Sequence, residues 1–318
     1  MAKDMAGRYL RRMDVFSRRG LHSLGDLLST TPQSISDAKL SQLAQHVDDL
    51  QRRYGVSTER RDGLERQTSD YLATAGENKE DLRLGILSVL LERYAKRIPR
   101  RSLFDEDTED AEPSRPLTVD SGVADGARIH LLHKYDRPYF FGMDTLCDAG
   151  SENAEQFLQL AAQLVLQSET QLIRRGNDPT LTSSVQNKLL RERATKMMLE
   201  WDFPQSHLVR RLAEGIATQC LVKSLEGNAS LGGGANAVGI PQEEFDSIHR
   251  DNADLARVIK FGVAYNAFTL VPNHRTKNRL WCLVELGGVL LLHHGLTLKR
   301  GGFLERRVDD LVRLLGDG

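Results

Sequence analysis

Between Asn252 and Leu292 the spacing of apolar residues changes period, and that change predicts the chain's most informative elements. Leu255, Val258, Ile259, Gly262, Val263, Asn266 and Ala267 recur at steps of three and four, the mark of a helix with one apolar face. Leu270-Val271 and Leu280 to Val284 are then two short apolar runs, separated by the polar stretch Pro272 to Arg279. Turn formers and cations fill that stretch, so the segment predicts a helix followed by a β-hairpin with a basic tip.

Elsewhere the helical period dominates. Residues 1 to about 104 carry three apolar stripes: Leu21, Leu24, Leu27 and Leu28; Leu40, Leu43, Val47 and Leu50; and Leu82 to Leu91. Ser36 is a reasonable helix start ahead of the second. The stretch from Asp105 to Gly126 is acidic, contains two prolines and lacks a periodic face, so it predicts a linker or insertion. A second helical block starts at Ala127. Within it Ser151 is expected to cap a helix from Glu152 to Gln167, and Thr182 or Ser183 to cap another from Val185 to Leu199. A helix from Ser206 to about Leu225 follows. The glycine-rich Leu231 to Asn236 reads as a flexible connector, and Pro241 starts a short helix, Gln242 to Ile248. The expected fold is mainly α: a helical region (1–104), the linker (105–126), a helical lid-like domain (127–200) and a winged-helix domain with a small β-hairpin (201–318).

Composition leaves the chain ordinary. It has 318 residues, 40% hydrophobic and 27% charged, and 43 basic against 44 acidic side chains leave a net charge of -1. Any affinity for nucleic acid must therefore come from local patches. Two are candidates: Arg8, Arg11, Arg12, Arg18 and Arg19; and Arg93, Lys96, Arg97, Arg100 and Arg101. No apolar run approaches a membrane span and the N-terminus has no signal-peptide core, so a cytoplasmic location without membrane association is expected. Cys147, Cys220 and Cys282 are far apart and sit in apolar or helical contexts, which predicts buried, inert thiols.

A helix followed by a hairpin is the order of the second half of a winged-helix domain, in which the helix can enter a major groove and the hairpin tip can rest on phosphates. On that reading His274, Arg275, Lys277 and Arg279 contact phosphates, and Arg257 and Lys260 supply base or phosphate contacts from the preceding helix. Asp251 and Asp254 at the helix start oppose it. The alternative is a solvated tip whose charges protect an edge strand. Other chemistry finds little support. His130 and His133 stand three apart and His293-His294 are adjacent, but no cysteine or carboxylate completes a metal set around the first pair. Asp105 to Asp110 lack the spacing of a calcium loop, and there is no nucleophile elbow.

One passage carries a resemblance. Tyr139-Phe140-Phe141-Gly142-Met143-Asp144, followed by Ser151-Glu152-Asn153 and Phe157-Leu158, resembles the lid segment of bacterial ATPases of the origin-recognition AAA type. Residues 206–318, with Gly287-Gly288, Gly295-Leu296 and Arg300 to Glu305, are similar to the winged-helix part of the same proteins. The resemblance implies a lid and a winged helix from such a system, with DNA, an ATPase motor subunit or another protein as partner. No Gly-x-x-x-x-Gly-Lys-Ser/Thr loop and no strand ending in paired acids occurs. Glu155 stands where such lids often present a nucleotide-sensing arginine. The resemblance thus implies no cofactor in this chain, with ATP possible through a partner chain or a missing motor domain, and no catalytic residue here.

Overall fold

The computed structural model describes residues 2–97, 118–176, 178–226, 233–276, 279–299 and 301–316. The described residues are mainly helical, with one small four-stranded mixed sheet. In chain order come α1 (Ala2–Arg12), α2 (Asp14–Ser17), α3 (Asp37–Arg53), α4 (Thr58–Ala75), α5 (Glu80–Arg97), α6 (Ser121–Tyr135), α7 (Gly142–Ala149), α8 (Ala154–Arg175), α9 (Ser183–Leu199) and α10 (Ser206–Leu225). Then follow β1 (Ala235–Pro241), α11 (Gln242–Asp251), α12 (Ala253–Ala264), β2 (Phe268–Thr276), β3 (Arg279–Leu286), α13 (Gly288–His294), β4 (Gly302–Glu305) and α14 (Val308–Gly316).

The chain divides into two compact units. One comprises Met1–Gln33, Pro138–Leu221 and Ala235–Gly318; the other comprises Ser34–Arg137 and Val222–Gly234. Residues 1–104, read above as one helical region, are therefore shared between the two. The first 33 residues belong with the later segment for a visible reason. Leu28 bridges Leu181, and the buried Gln186 side chain donates to the carbonyls of Ser29 (2.9 Å) and Leu181 (2.7 Å) while accepting the Gly142 N–H (2.7 Å). The stripe Leu21 to Leu28 is accordingly not a helix. Ser23 and Asp26 close a capping box over a single 3-10 turn, Leu24–Leu27, after which the backbone is extended.

In the second unit α3, α4 and α6 surround α5, whose Leu82, Ile86, Leu87, Leu90 and Leu91 are fully buried. A helix apolar on most of its faces belongs at the centre of a bundle. Its N-terminal end holds a chain of ion pairs. Arg137, 2% exposed, donates through Nε to Asp81, 1% exposed, at 2.9 Å. Arg137 also donates to Glu77 (3.0 Å), Glu77 accepts from Arg128 (2.6 Å), and Arg128 donates to Asp125 (2.6 Å). Asp81 further accepts the backbone N–H groups of Ile35 (3.1 Å) and Leu82 (2.8 Å), so both its oxygens are occupied. Helix α6 begins at Ser121, capped by Asp120, six residues before the helical start expected at Ala127; residues 105–117 of the expected linker lie outside the described residues.

In the first unit α8 packs on α1, α2, α7 and α9, and α13 packs on α7 and α9. The cap of α8 is Asn153, whose side chain accepts the N–H groups of Glu155 and Gln156, and not Ser151. Ser151 instead accepts the Gly288 N–H at 2.7 Å. The backbones come close enough there that a Cβ on Gly288 would overlap the Ala149 carbonyl. The sheet order is β2-β3-β1-β4, with β1 antiparallel to β3 and parallel to β4. Strand β1 occupies part of the glycine-rich stretch read as a connector, because Ala235 and Asn236 already pair or pack there. The hairpin is longer than expected: Pro272 to Thr276 belong to β2 and Arg279 to β3, which narrows the tip to residues 277 and 278, outside the described residues.

Removing either side of the deepest ion pair leaves a buried charge without its partner, a loss of about 3–5 kcal/mol. Arg137→Ala and Asp81→Ala should each lower the unfolding free energy by that order in denaturant titrations, far more than Arg52→Ala on the exposed Asp49 pair. The same network fixes an acid limit. Burial alone would raise the Glu77 carboxyl, but Arg128 and Arg137 hold it below the ordinary 4.5. Its contribution is thus present above pH 4.5 and is lost as pH falls through the folded value, so unfolding midpoints followed by circular dichroism should drop below pH 4.5.

Candidate interaction site at the hairpin

The hairpin's position is set before its chemistry. Phe268 opens β2 and lies against Gly262 of α12, where a Cβ would overlap the phenyl ring. Asn266, at φ 56, turns the chain between helix and strand, and Gly287 N–H donates to the Ala267 carbonyl at 2.8 Å on the far side of the hairpin. Phe203 stacks on Tyr265 at 4.1 Å between ring centroids and 5° between planes, which holds the end of α12. The two strands pair from Phe268↔Leu286 to Thr276↔Arg279, interrupted by an irregularity between Val271 and His274. Asn273 sits at that irregularity with φ 56, and its N–H donates to Gln242 Oε1 at 2.8 Å, tying β2 to the first turn of α11.

This bend places the distal strands over a cleft of about 970 Å³. Its walls are the start of α11, the ends of β2 and β3, and the connection from β4 into α14. Arg275, Arg279, Arg306 and Arg307 line it, and so do Glu243, Glu244, Asp246, Glu305 and Asp310. Four guanidinium groups thus share one cleft with five carboxylates. Several acids are already engaged. Glu244 lies 3.6 Å from Arg307 and accepts the Val308 N–H, Asp310 accepts the Arg307 N–H, and Asp246 accepts from Gln242. Arg306 donates to Gln219 and to the Glu305 carbonyl. Among the described residues no carboxylate lies at ion-pair distance from Arg275 or Arg279. Arg279 rests over the Trp281 ring at 5.4 Å, a cation–π contact that holds the guanidinium near the cleft wall.

The six residues expected to meet nucleic acid are thereby separated. Arg275 and Arg279 share the cleft. His274 is half-buried and meets Phe303 edge to face at 5.7 Å, so its ring packs along the sheet. Arg257 is exposed but pairs with Asp254 at 3.4 Å, one turn earlier on α12. Lys260 borders a different feature, an apolar hollow of about 250 Å³ between α11, α12 and β2, lined by Phe245, Ile248, Ala256, Ile259, Val263 and Leu270. Lys277 lies outside the described residues. The carboxylates of the cleft were not anticipated, because they come from separate segments of the chain before and after the hairpin, Glu243 to Asp246 and Glu305 to Asp310.

The remaining titratable groups are placed by packing. Among the described residues no group of three or more His, Cys, Asp or Glu could hold a metal ion, and no helix is long and apolar enough to cross a membrane. His293 Nδ1 shares a hydrogen bond with the Thr195 hydroxyl at 2.8 Å and touches the His294 ring. Burial lowers His130 and His294 to about 4 each, so both imidazoles are neutral near pH 7. No protein-family model, curated protein or solved structure matches the chain.

Burial pushes the Cys220 thiol up to about 12 and the Cys282 thiol up to about 11, while Cys147, expected to be buried, is partly exposed. Titration with a chromogenic disulfide reagent at pH 8 should therefore release one fast equivalent from native protein and three after denaturation. Loss of the fast equivalent in Cys147→Ser assigns it; a second fast thiol in the native state would contradict the packing of β3 or α10.

Proposed function

We propose that residues 206–318 form a winged-helix module that docks a protein partner through the cleft beneath its hairpin. Supporting the fold is the element order α10, β1, α11, α12, β2, β3, with β3 between β1 and β2. That is the order helix, strand, helix, helix and a two-stranded wing. The docking reading rests on one observation: the wing's arginines open onto a cleft that also holds five carboxylates. A duplex presents phosphates of a single sign, and each unscreened acid at the interface repels them. A protein segment carrying both signs can satisfy such a wall and be placed in register by it. Given the sequence resemblance, the partner that fits is an ATPase motor subunit or an effector acting with one. ATP then belongs to that partner, and this chain supplies the lid-like helices and the docking wing.

A second reading, phosphate contact by the wing, has its own support. Arg275 and Arg279 stand near each other across the end of the hairpin, adjoining Lys277 in sequence, and neither guanidinium is paired with an acid among the described residues. Fluorescence anisotropy with a labelled duplex separates the two. On the docking reading wild type binds no more tightly than about 10⁻⁴–10⁻⁶ M at physiological salt, the non-specific range. Glu243→Lys/Glu305→Lys then gains salt-sensitive DNA binding, since the acids are what exclude the duplex. Submicromolar binding by wild type that falls steeply with salt and is abolished in Arg275→Glu/Lys277→Glu/Arg279→Glu would replace docking with DNA recognition.

A further inference from the structure

We propose that the chain pairs with a second copy of itself through α8, the two helices running antiparallel. This inference is independent of the hairpin. Helix α8 is the longest in the structure at 22 residues, and its inner face packs against α9 and α1. Its outer face is not that of a solvated helix. Leu166 is 57% exposed and Ile173 is 65% exposed, and Tyr9 of the adjoining α1 is 61% exposed. Between α1 and α8 runs an open, apolar groove of about 490 Å³ in which Ala161, Ala162, Val165 and Leu166 form the α8 wall.

The exposed apolar residues of α8 share one side of the helix. Ala162, Leu166 and Ile173 follow one another at steps of four and seven, while Gln159 and Glu169 beside them are half-buried. Such a stripe is one along which a second helix can pack. Ala162 is small, so it leaves the gap that a leucine from a facing helix would fill.

Charge says which helix faces it. The N-terminal end of α8 is acidic, with Glu152 just before it and Glu155 in its first turn, and the C-terminal end is basic, with Arg174-Arg175. Glu155 and Arg174 are both exposed and lie about 28 Å apart along the axis at 1.5 Å per residue. A second α8 laid antiparallel brings the acidic end of each copy to the basic end of the other, twice, by one two-fold axis. That axis passes midway between Glu155 and Arg174, close to Leu166. The same operation therefore sets the two Leu166 side chains beside the axis, each facing the Ala162 region of the other copy. Parallel pairing would instead stack like charges at both ends. Self-complementarity of one patch is the property that an isologous dimer requires.

Sedimentation equilibrium of the full chain across the micromolar range tests this. The expected result is a reversible monomer–dimer equilibrium that weakens with salt. Leu166→Asp should leave monomer only, with far-UV circular dichroism unchanged because the site is at the surface. Glu155→Lys and Arg174→Glu should each raise the dimer dissociation constant roughly fivefold or more, since each removes two symmetric ion pairs. Glu155→Lys/Arg174→Glu should recover wild-type association, because the swap restores both pairs. A monomeric wild type throughout that range overturns the proposal. So does an unchanged dimer in Leu166→Asp, or a double variant no tighter than either single.

Discussion

What the first unit presents to the outside depends on how closely its backbone can approach itself at the base of the hairpin. Gly262 lets the Phe268 ring approach the backbone of α12, and Gly287 and Gly288 bring the end of β3 within contact of the Asn266 and Ala149 carbonyls. Any side chain at these positions would have to displace backbone or a buried ring, neither of which yields cheaply in a close-packed interior. The hairpin is thus anchored at both roots, one on α12 and one on α13, and its direction follows from those anchors. Its distal half then bends at Asn273, held by Gln242, and the exposed Arg275 and Arg279 line one cleft with the start of α11. The cleft is a consequence of three glycines and one bulge as much as of the charged residues that line it.

The second unit has a different governing constraint, one of charge. Taking Arg137 and Asp81 out of water costs several kcal/mol per ion, and such a pair is tolerated only where hydrogen bonds occupy the remaining donors and acceptors. That condition is met here: Asp81 accepts two backbone N–H groups besides the guanidinium, and Arg137 reaches Glu77 with a second nitrogen. Asp81 also stands in the first turn of α5, where a carboxylate is favoured by the helix dipole and by the free N–H groups. The network connects the entrances of α3 and α5 with the end of α6, three places where chain direction changes. Purely apolar packing would fill the same volume but would fix those directions less specifically.

How much of this was legible in the sequence depends on the period of each element. Helix α12 and the roots of the hairpin were readable because apolar residues recur at steps of three and four and then gather into two runs. Strands β1 and β4 were not. The first, Ala-Asn-Ala-Val-Gly-Ile-Pro, is covered on both faces, so it shows no alternation and is rich in small residues; the second has only four residues. Pro272 to Thr276 looked like a loop because proline, asparagine and charged residues dominate it, yet an edge strand needs only one side of its backbone to pair. The start of α6 was hidden by Ser121 and Gly122, which look like the end of a linker until Asp120 is seen accepting the Val123 N–H. For the site, the basic half of the cleft was visible in one short stretch. Its acidic half comes from positions 243–246 and 305–310 and needed the sheet to bring it there.

The electrostatic character of that cleft bears on selectivity more than on strength. Arginines facing carboxylates across a solvent-filled space are individually worth little, since exposed pairs contribute about 0–1 kcal/mol. Their arrangement matters because a wrong partner must leave a like charge opposed or a desolvated group unpaired, and those losses are larger than the gains. Trp281 and the exposed Leu280 add apolar area to the same cleft wall as the charges. Protein–protein contacts combine apolar area with charges of both signs, whereas a surface that reads phosphates is much more positively charged. The distribution of sign around the cleft, rather than the presence of arginines in the wing, is therefore the property that a protein segment and a duplex would meet differently.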